Sequence, residues 1–267
     1  MPKFSDIARP PRILICGEPA AGKTGSLAQL ANAGYRLMIH DFDQNTRVIG
    51  SYLKPDAADV YVSTYTAAKI TNTNLFAGTG VAGTQALNEL RRFTKMLEHW
   101  KVPDGEDLGP CSSWTSKDVV VIDSGTFLGE MLLLAASEDP KTKRDERSLY
   151  NVAGSYYGAI LDHLTGKKVG ASVIVLTHIR QTGDKDDQGK ITGRQRDIPV
   201  GIGEKFSKDM QTYFSDIWHL EVDRAGGRVF KTAATNSASL RTSAPTLIKA
   251  SEPFDLASML DRLTKGA

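Results

Sequence analysis

Short apolar runs alternate along the chain with longer stretches in which apolar residues recur at helical spacing. The apolar runs at residues 12–16, 36–40, 60–63, 119–122 and 172–177 predict strands, and the amphipathic stretches at 23–32, 84–100, 126–136 and 149–164 predict helices. The runs "VVVID" and "SVIVL" are apolar almost throughout, which is typical of strands covered on both faces. The pattern therefore predicts an α/β fold with a mainly parallel central sheet flanked by helices.

The pattern changes after residue 213. The segments "IWHLEVD", "GRVFKTA" and "SLRTSAP" predict antiparallel strands near the C-terminus, with "RAGGR" as a turn, and "PFDLASMLDRL" predicts a closing amphipathic helix. A chain of 267 residues is long enough for one sizeable core or two small domains. The sequence contains no internal repeat. We expect a single domain over residues 1–267, with its core at about 11–263.

The first predicted strand and helix are joined by "GEPAAGKT", which fits the phosphate-binding motif G-x-x-x-x-G-K-[ST] in full. Backbone N–H groups of such a loop surround phosphate oxygens, and the helix N-terminus adds a favourable dipole. The motif predicts binding of ATP and Mg²⁺, in which Lys23 reaches the β- and γ-phosphates and Thr24 ligates the metal. The predicted contact residues are Gly17, Glu18, Pro19, Ala20, Ala21, Gly22, Lys23, Thr24 and Gly25.

Acidic residues end two further predicted strands. Asp123 ends "VVVID" and is the candidate second ligand of magnesium, because a buried carboxylate is costly without a partner. The alternative is a helix N-cap, a role that Ser124 can also fill. Asp41 and Asp43 alternate after "RLMIH" and should point the same way in an extended segment. One of them would activate the attacking water, unless both are solvated loop carboxylates.

Polar residues also follow the predicted strand "VIVLT". His178 lies at its carboxyl end, where open α/β sheets bind ligands, and is expected to contact the γ-phosphate; a structural histidine is the alternative. The charged segment "RQTGDKDDQGKITGRQRDIPVGIG" comes next and is expected to be a long loop, either functional or solvated. Its one compact basic cluster is "KITGRQR". The candidate nucleic-acid contacts in this segment are Arg180, Lys190, Arg194 and Arg196.

Composition narrows the class of partner. The chain has 33 basic and 31 acidic side chains and a net charge of +2, so a local patch rather than the overall field would have to bind nucleic acid. Cys16 and Cys111 cannot form a disulfide framework and indicate a reducing compartment; Cys16 is expected in the core. The N-terminal segment lacks a signal region, and no apolar run is long enough to span a bilayer. These features predict a cytoplasmic protein.

The order of these parts resembles the RecA-type recombinase core. A glycine loop, an acidic strand end ("LMIHDFDQ"), an Asp-terminated strand ("VVVIDSGTFL"), a polar strand end ("VIVLTHIRQ") and a long loop follow in that order. The resemblance implies that Asp43 is the catalytic base, although RecA has the longer glutamate there, and that His178 is at or near the sensor position. The segment after His178 corresponds to the second DNA-binding loop, and "SEDPKTKRDERSLY" lies where the first would be.

The chain is similar in particular to the short phage-encoded single-strand annealing and recombination ATPases of the Sak-four type, in the phage nucleotide-binding AAA family. The similarity covers most of residues 11–263, including "SLRT" followed by "PFDLASMLDRL". It implies ATP hydrolysis stimulated by single-stranded DNA, annealing or strand pairing in the host cytoplasm, and a single-strand DNA-binding protein as a further partner. It also implies a ring or filament in which Arg241 or Lys231 reaches a neighbour's γ-phosphate.

Two other functions fit the same motif. A P-loop ATPase that switches or assembles a protein partner needs no DNA-binding segment. A small-molecule kinase fits less well, because no basic lid or substrate pocket is evident beside the glycine loop. Turnover of ATP with and without single-stranded DNA distinguishes these functions from a DNA-dependent ATPase.

Overall fold

The computed structural model describes residues 9–66, 79–102, 105–142, 146–186, 188, 191–223 and 225–265. The strands are β1 (Arg12–Cys16), β2 (Arg36–Asp41), β3 (Val60–Thr64), β4 (His99–Lys101), β5 (Asp107–Pro110), β6 (Asp118–Asp123), β7 (Ser172–Thr177), β8 (Ile179–Lys185), β9 (Ile191–Pro199), β10 (Asp216–Val222), β11 (Arg228–Lys231) and β12 (Ser251–Pro253). The helices are α1 (Lys23–Asn32), α2 (Arg47–Gly50), α3 (Thr79–Glu98), α4 (Gly125–Ala136), α5 (Glu146–Thr165), α6 (Gly203–Asp209) and α7 (Leu256–Lys265).

Eight strands of the described chain form one sheet in the order β12-β11-β10-β1-β7-β6-β2-β3. The strands from β10 to β3 in this order pair in parallel, whereas β11 and β12 are antiparallel to their neighbours. The predicted α/β fold, with a mainly parallel sheet and antiparallel strands near the C-terminus, is confirmed. None of the described helices combines the length and hydrophobicity that a membrane span requires.

The core lies on both faces of the sheet, because successive strand residues point to opposite sides. Leu14 and Cys16 of β1 pack in one apolar cluster with residues of α3, α4 and α5. Ile13 and Ile15 pack in the other cluster with residues of α1 and α7. Cys16 is only 3% exposed, as expected for a core residue, and burial raises its pKa to about 11.

Strands β1, β2, β6 and β7 end at one edge of the sheet. In the register of the parallel pairs, Cys16 lies beside Thr177 and Asp41 lies beside Asp123. The backbone N–H of Gly17 donates to the Thr177 carbonyl oxygen at 3.2 Å. The segments that follow β1, β2, β6 and β7 therefore lie next to one another at this edge.

The third antiparallel strand is not the predicted one. It is β12, whereas residues 239–245 pair with β10 only through a single bridge between Ile217 and Arg241. The buried carboxylate of Asp216 explains the difference, since it accepts hydrogen bonds from the Ser243 N–H at 2.8 Å and the Thr242 hydroxyl at 2.9 Å. These bonds make residues 242 and 243 turn around the Asp216 carboxylate, so this segment does not continue as a strand beside β10.

The segment after β7, expected as a long loop, is an antiparallel hairpin of β8 and β9. It packs on α6, where the Thr182 hydroxyl donates to Glu204 at 2.7 Å and Arg180 donates to the Ser207 hydroxyl at 3.2 Å. The backbone N–H of Asp197 donates to the Ser237 carbonyl at 2.7 Å. The many charged residues of this segment suggest a loop. The backbone pairing between β8 and β9 and the contacts with α6 stabilise two strands instead.

Candidate nucleotide-binding site

The segment between β1 and α1 forms a tight loop that depends on two glycines. Gly22 has a φ of 101°, which residues with a side chain rarely adopt. Gly17 lies so close to β10 that a Cβ atom there would be 2.7 Å from the Leu220 carbonyl oxygen. Helix α1 begins directly afterwards, and its first N–H groups have no partner within the helix. The loop and the helix start together form an anion site.

Lys23 is buried inside the loop. Its Nζ donates to the carbonyl oxygens of Gly17 at 2.8 Å and Glu18 at 2.9 Å. Burial lowers the pKa of the ammonium group, and the carboxylates of Asp123, Asp43 and Glu18 oppose that effect. An ammonium held this way is poised to exchange two carbonyl partners for phosphate oxygens.

Asp123, the last residue of β6, is buried beside the loop. It is 2% exposed, accepts a hydrogen bond from the Thr24 hydroxyl, and has an Oδ2 atom without a partner among the described residues. Burial raises its pKa to about 7, Asp41 and Asp43 add to the rise, and Thr24 and Lys23 oppose it.

These donor atoms fit a magnesium ion, which binds through one or two protein oxygens together with phosphate oxygens and water. A buried carboxylate oxygen without a partner and an adjacent hydroxyl are such a set. Within the described ranges, no group of three or more His, Cys, Asp or Glu side chains is suited to hold a metal alone.

Asp41 and Asp43 have different surroundings. The buried Asp41 accepts hydrogen bonds from the Gln44 N–H at 2.6 Å and the Thr46 hydroxyl at 2.8 Å, so it stabilises the turn after β2. Asp43 lines the cavity above the loop and accepts a hydrogen bond from the Asn45 amide at 2.8 Å. The prediction assumed an extended segment, but β2 ends at Asp41 and the chain then turns. Of the two carboxylates, Asp43 is the one among the lining residues of the cavity.

His178 connects this cavity to the hairpin β8–β9. Its ring lines the cavity, and burial together with the Lys23 charge lowers its pKa, so the imidazole is neutral at pH 7. Its backbone N–H donates to the Thr126 hydroxyl at 3.0 Å, and that hydroxyl donates to the Val200 carbonyl at 3.4 Å. The Val200 N–H donates to the His178 carbonyl at 2.8 Å. These bonds tie the first and last residues of the hairpin to the start of α4.

One cavity of about 570 Å³ is lined by Asp43, Asp123 and His178 and by five residues of the loop: Ala20, Gly22, Lys23, Thr24 and Gly25. The other predicted contact residues, Gly17, Glu18, Pro19 and Ala21, are not among its lining residues. The lining residues that sequence reasoning missed include Tyr52 after α2, Arg228 at the start of β11, and Phe254 after β12. No motif marks them, because their position depends on the turn after β2 and on which strands pair beyond β10.

Arg241 lies outside this cavity and is not in a strand. Its Nη2 atom donates to the carbonyl oxygens of Gln211 and Phe214, both at 2.5 Å. Lys231 is on β11, where its Nζ donates to the Ser251 hydroxyl at 3.3 Å. In this structure both cations therefore have partners in their own chain.

The candidate nucleic-acid contacts lie on the hairpin or beyond the described residues. Arg196 is exposed on β9, and Arg194 belongs to the same strand. Arg180 on β8 is turned towards α6. Lys190 lies outside the described residues.

The AAA_24 family model, described as an AAA domain, matches residues 9–244, which include the loop, the carboxylates, His178 and the hairpin. The chain belongs to this AAA domain family. It therefore carries an AAA-type P-loop ATPase domain. The glycine loop, at the edge of the sheet where the parallel strands end, lies within the matched residues. No curated protein matches the sequence.

Among solved structures, this AAA domain is similar to a prototypical ATPase from the type III secretion system of pathogenic bacteria. The two share 12% identity with a TM-score of 0.39, over 79% of this chain and 51% of that chain. The AAA domain thus spans about half the length of that structure.

Proposed function

We propose that this AAA domain hydrolyses ATP to ADP and phosphate and uses the cycle to control binding of single-stranded DNA, as a phage-type recombination protein that promotes annealing or strand pairing. The observation that supports it most is the direct connection at His178 between the nucleotide cavity and the hairpin. Its partners are single-stranded DNA, a single-strand DNA-binding protein and further copies of the chain, and it acts in the host cytoplasm.

Five residues of the cavity are assigned roles in hydrolysis. Lys23 binds the β- and γ-phosphates, while Thr24 and Asp123 would hold Mg²⁺, which would neutralise phosphate charge. Asp43 accepts the proton of the attacking water or orients that water. His178, as a neutral imidazole, donates a hydrogen bond to the γ-phosphate and loses that bond when the phosphate leaves.

In this proposal the hairpin supplies DNA contacts through Arg194 and Arg196 of β9, and Lys190, which lies outside the described residues, is a further candidate. Beside the hairpin lies a polar cleft of about 790 Å³, whose lining contains two cations, Arg196 and Lys208, and two carboxylates, Asp197 and Glu204. Lys208 is paired with Glu204 at 2.9 Å, so Arg196 is the cation of this cleft assigned to DNA. Because β8 and β9 are paired along most of their length, the proposal assigns to ATP a change in the position of the hairpin rather than its folding. A change in the hydrogen bonds of His178 shifts the base of the hairpin relative to α4.

Self-association completes the site in this proposal. Arg241 would exchange its two carbonyl partners for the γ-phosphate of a neighbouring copy, which stabilises transition-state charge. The resulting assembly is a ring or a filament.

The decisive experiment measures ATP turnover and DNA affinity together. A variant with Lys190, Arg194 and Arg196 changed to Ala should lose DNA binding and DNA-stimulated turnover but keep ATP binding, and the affinity of the wild type should fall steeply with salt. The matched control changes three exposed cations elsewhere: Arg91, Lys95 and Lys249 to Ala. Equal DNA affinity in both triple variants would contradict the proposal and favour a switch that acts on a protein partner.

The coupling is tested at His178. The His178→Ala variant should bind DNA equally well with and without ATP, whereas the wild type should not. Nucleotide-dependent DNA affinity that survives in His178→Ala would show that another residue couples the two sites.

A further inference from the structure

Arg228 is a cation of the nucleotide cavity that lies outside the glycine-loop motif. It begins β11 directly after a tight turn, in which Asp223 Oδ1 accepts hydrogen bonds from the N–H groups of Ala225 at 2.9 Å and Gly227 at 2.7 Å. The Asp223 N–H also donates to the Gly227 carbonyl at 2.7 Å. These bonds fix the start of the strand and hence the Cα position of Arg228.

The Arg228 side chain lies against the glycine loop. Its Nε donates to the Ala21 carbonyl at 3.0 Å, and a Cβ atom on Gly22 would be 2.8 Å from that Nε. Its Cζ lies 5.6 Å from the ring centroid of Phe254, within the range of a cation–π contact. In the part of the chain that the structure describes, its Nη groups donate no hydrogen bond. They remain available to a ligand in the cavity that Arg228 lines.

The strand order locates Arg228 relative to the other charged groups. Strand β1, which carries the loop, has β7, β6 and β2 on one side and β10 and β11 on the other. The groups assigned to the metal and the terminal phosphate lie at or just after the ends of β7, β6 and β2, on the first of these sides. They are His178, Asp123 and Asp43. Arg228 comes from the second side, away from the groups assigned to the metal and the terminal phosphate. We therefore assign it to the phosphate nearer the nucleoside.

We propose that Arg228 binds the α-phosphate of the nucleotide in the same chain and thereby selects nucleotides over nucleosides. The inference rests on the proposed nucleotide binding and adds a residue to it. Arginine suits this position because its planar fork donates to the Ala21 carbonyl through Nε and to a phosphate through the Nη groups at the same time. A lysine ammonium is a single compact group on a flexible stem, so it lacks the rigid fork that fixes the directions of both contacts.

The test compares the affinities of ADP, AMP and adenosine, measured by displacement of a fluorescent ADP analogue. Arg228→Ala should weaken AMP and ADP by about 10- to 100-fold, as expected when a charge-assisted hydrogen bond is lost, and adenosine by less than about twofold. Arg228→Lys should recover part of the affinity for AMP. Arg91→Ala, which removes an exposed arginine of α3, is the matched control and should bind all three ligands as the wild type does.

Two results would overturn the inference. Unchanged AMP affinity in Arg228→Ala excludes a phosphate contact, and an equal loss for AMP and adenosine shows that Arg228 only supports the loop. Circular dichroism of the variants without ligand checks the fold, and Arg228→Lys carries the comparison if Arg228→Ala is unfolded. A wild-type protein that binds no ADP would contradict the proposed function itself.

Discussion

Asp123→Asn is predicted to stabilise the nucleotide-free protein while removing its metal site. Burial raises the pKa of Asp123 from 3.8 to about 7, so ionisation of this carboxyl costs more in the folded state than in the unfolded chain. Each pKa unit corresponds to about 1.4 kcal/mol, which makes the ionised group cost about 4 kcal/mol above pH 7. The asparagine amide carries no charge, but leaving it without a full set of partners costs about 1–3 kcal/mol. The expected net gain at pH 8 is therefore about 1–3 kcal/mol.

The predicted stability difference between Asp123→Asn and the wild type depends on pH, and the raised pKa of Asp123 sets the direction of that dependence. Between about pH 4 and pH 7 the folded state keeps a proton on Asp123 that the unfolded chain has lost, so the wild type loses stability as the pH rises. Asp123→Asn does not lose stability in this way. Its free energy of unfolding should therefore exceed that of the wild type at pH 8, and the difference should disappear below pH 5. Urea unfolding without nucleotide or magnesium measures both proteins, with Asp43→Asn as a less buried control. A variant less stable than the wild type at pH 8, or a difference independent of pH, would refute the reasoning.

Three further predictions concern single side chains. Lys23→Ala should abolish ATP turnover without unfolding the protein, and normal hydrolysis in this variant would contradict the whole site. Asp43→Asn should keep magnesium-nucleotide binding but slow hydrolysis by about 100-fold, as loss of a general base implies; an unchanged rate in a single-turnover assay would shift the role to Glu18. Burial lowers the pKa of His40 to about 3, so the folded protein should lose stability as the pH falls from about 6.5. His40→Phe should show a weaker acid dependence in urea unfolding, and equal slopes would count against a buried neutral imidazole.

The sequence predicted those parts of the fold for which a local residue pattern is compatible with a single local structure. Alternating strands and helices fix a parallel sheet, and the segment with Gly22 and Lys23 fits one known type of loop between a strand and a helix. The carboxyl ends of parallel strands meet at one edge, which is why Asp123 and His178 could be assigned to the same site before the sheet order was known.

The remaining features depend on contacts between distant segments. Asp41 was paired with Asp43 from strand geometry, but the hydrogen bonds that Asp41 accepts belong to a turn that the pattern does not reveal. Asp216 redirects residues 239–245 from a position more than twenty residues away. Arg228 enters the cavity only because β11 lies two strands from β1, and no local sequence signal specifies that order.

Under the proposed function, the backbone bond between Val200 and His178 would make the hairpin β8–β9 a lever that pivots beside the nucleotide cavity. Strand β8 has 7 residues, which at about 3.3 Å per residue gives an arm of about 23 Å. A tilt of about 10° at the fulcrum would move the far end of that arm by about 4 Å, more than half the length of one phosphate-to-phosphate step in extended DNA. In the proposed function, an ångström-scale change at the His178 ring would thus become a displacement long enough to make or break a contact with a DNA strand.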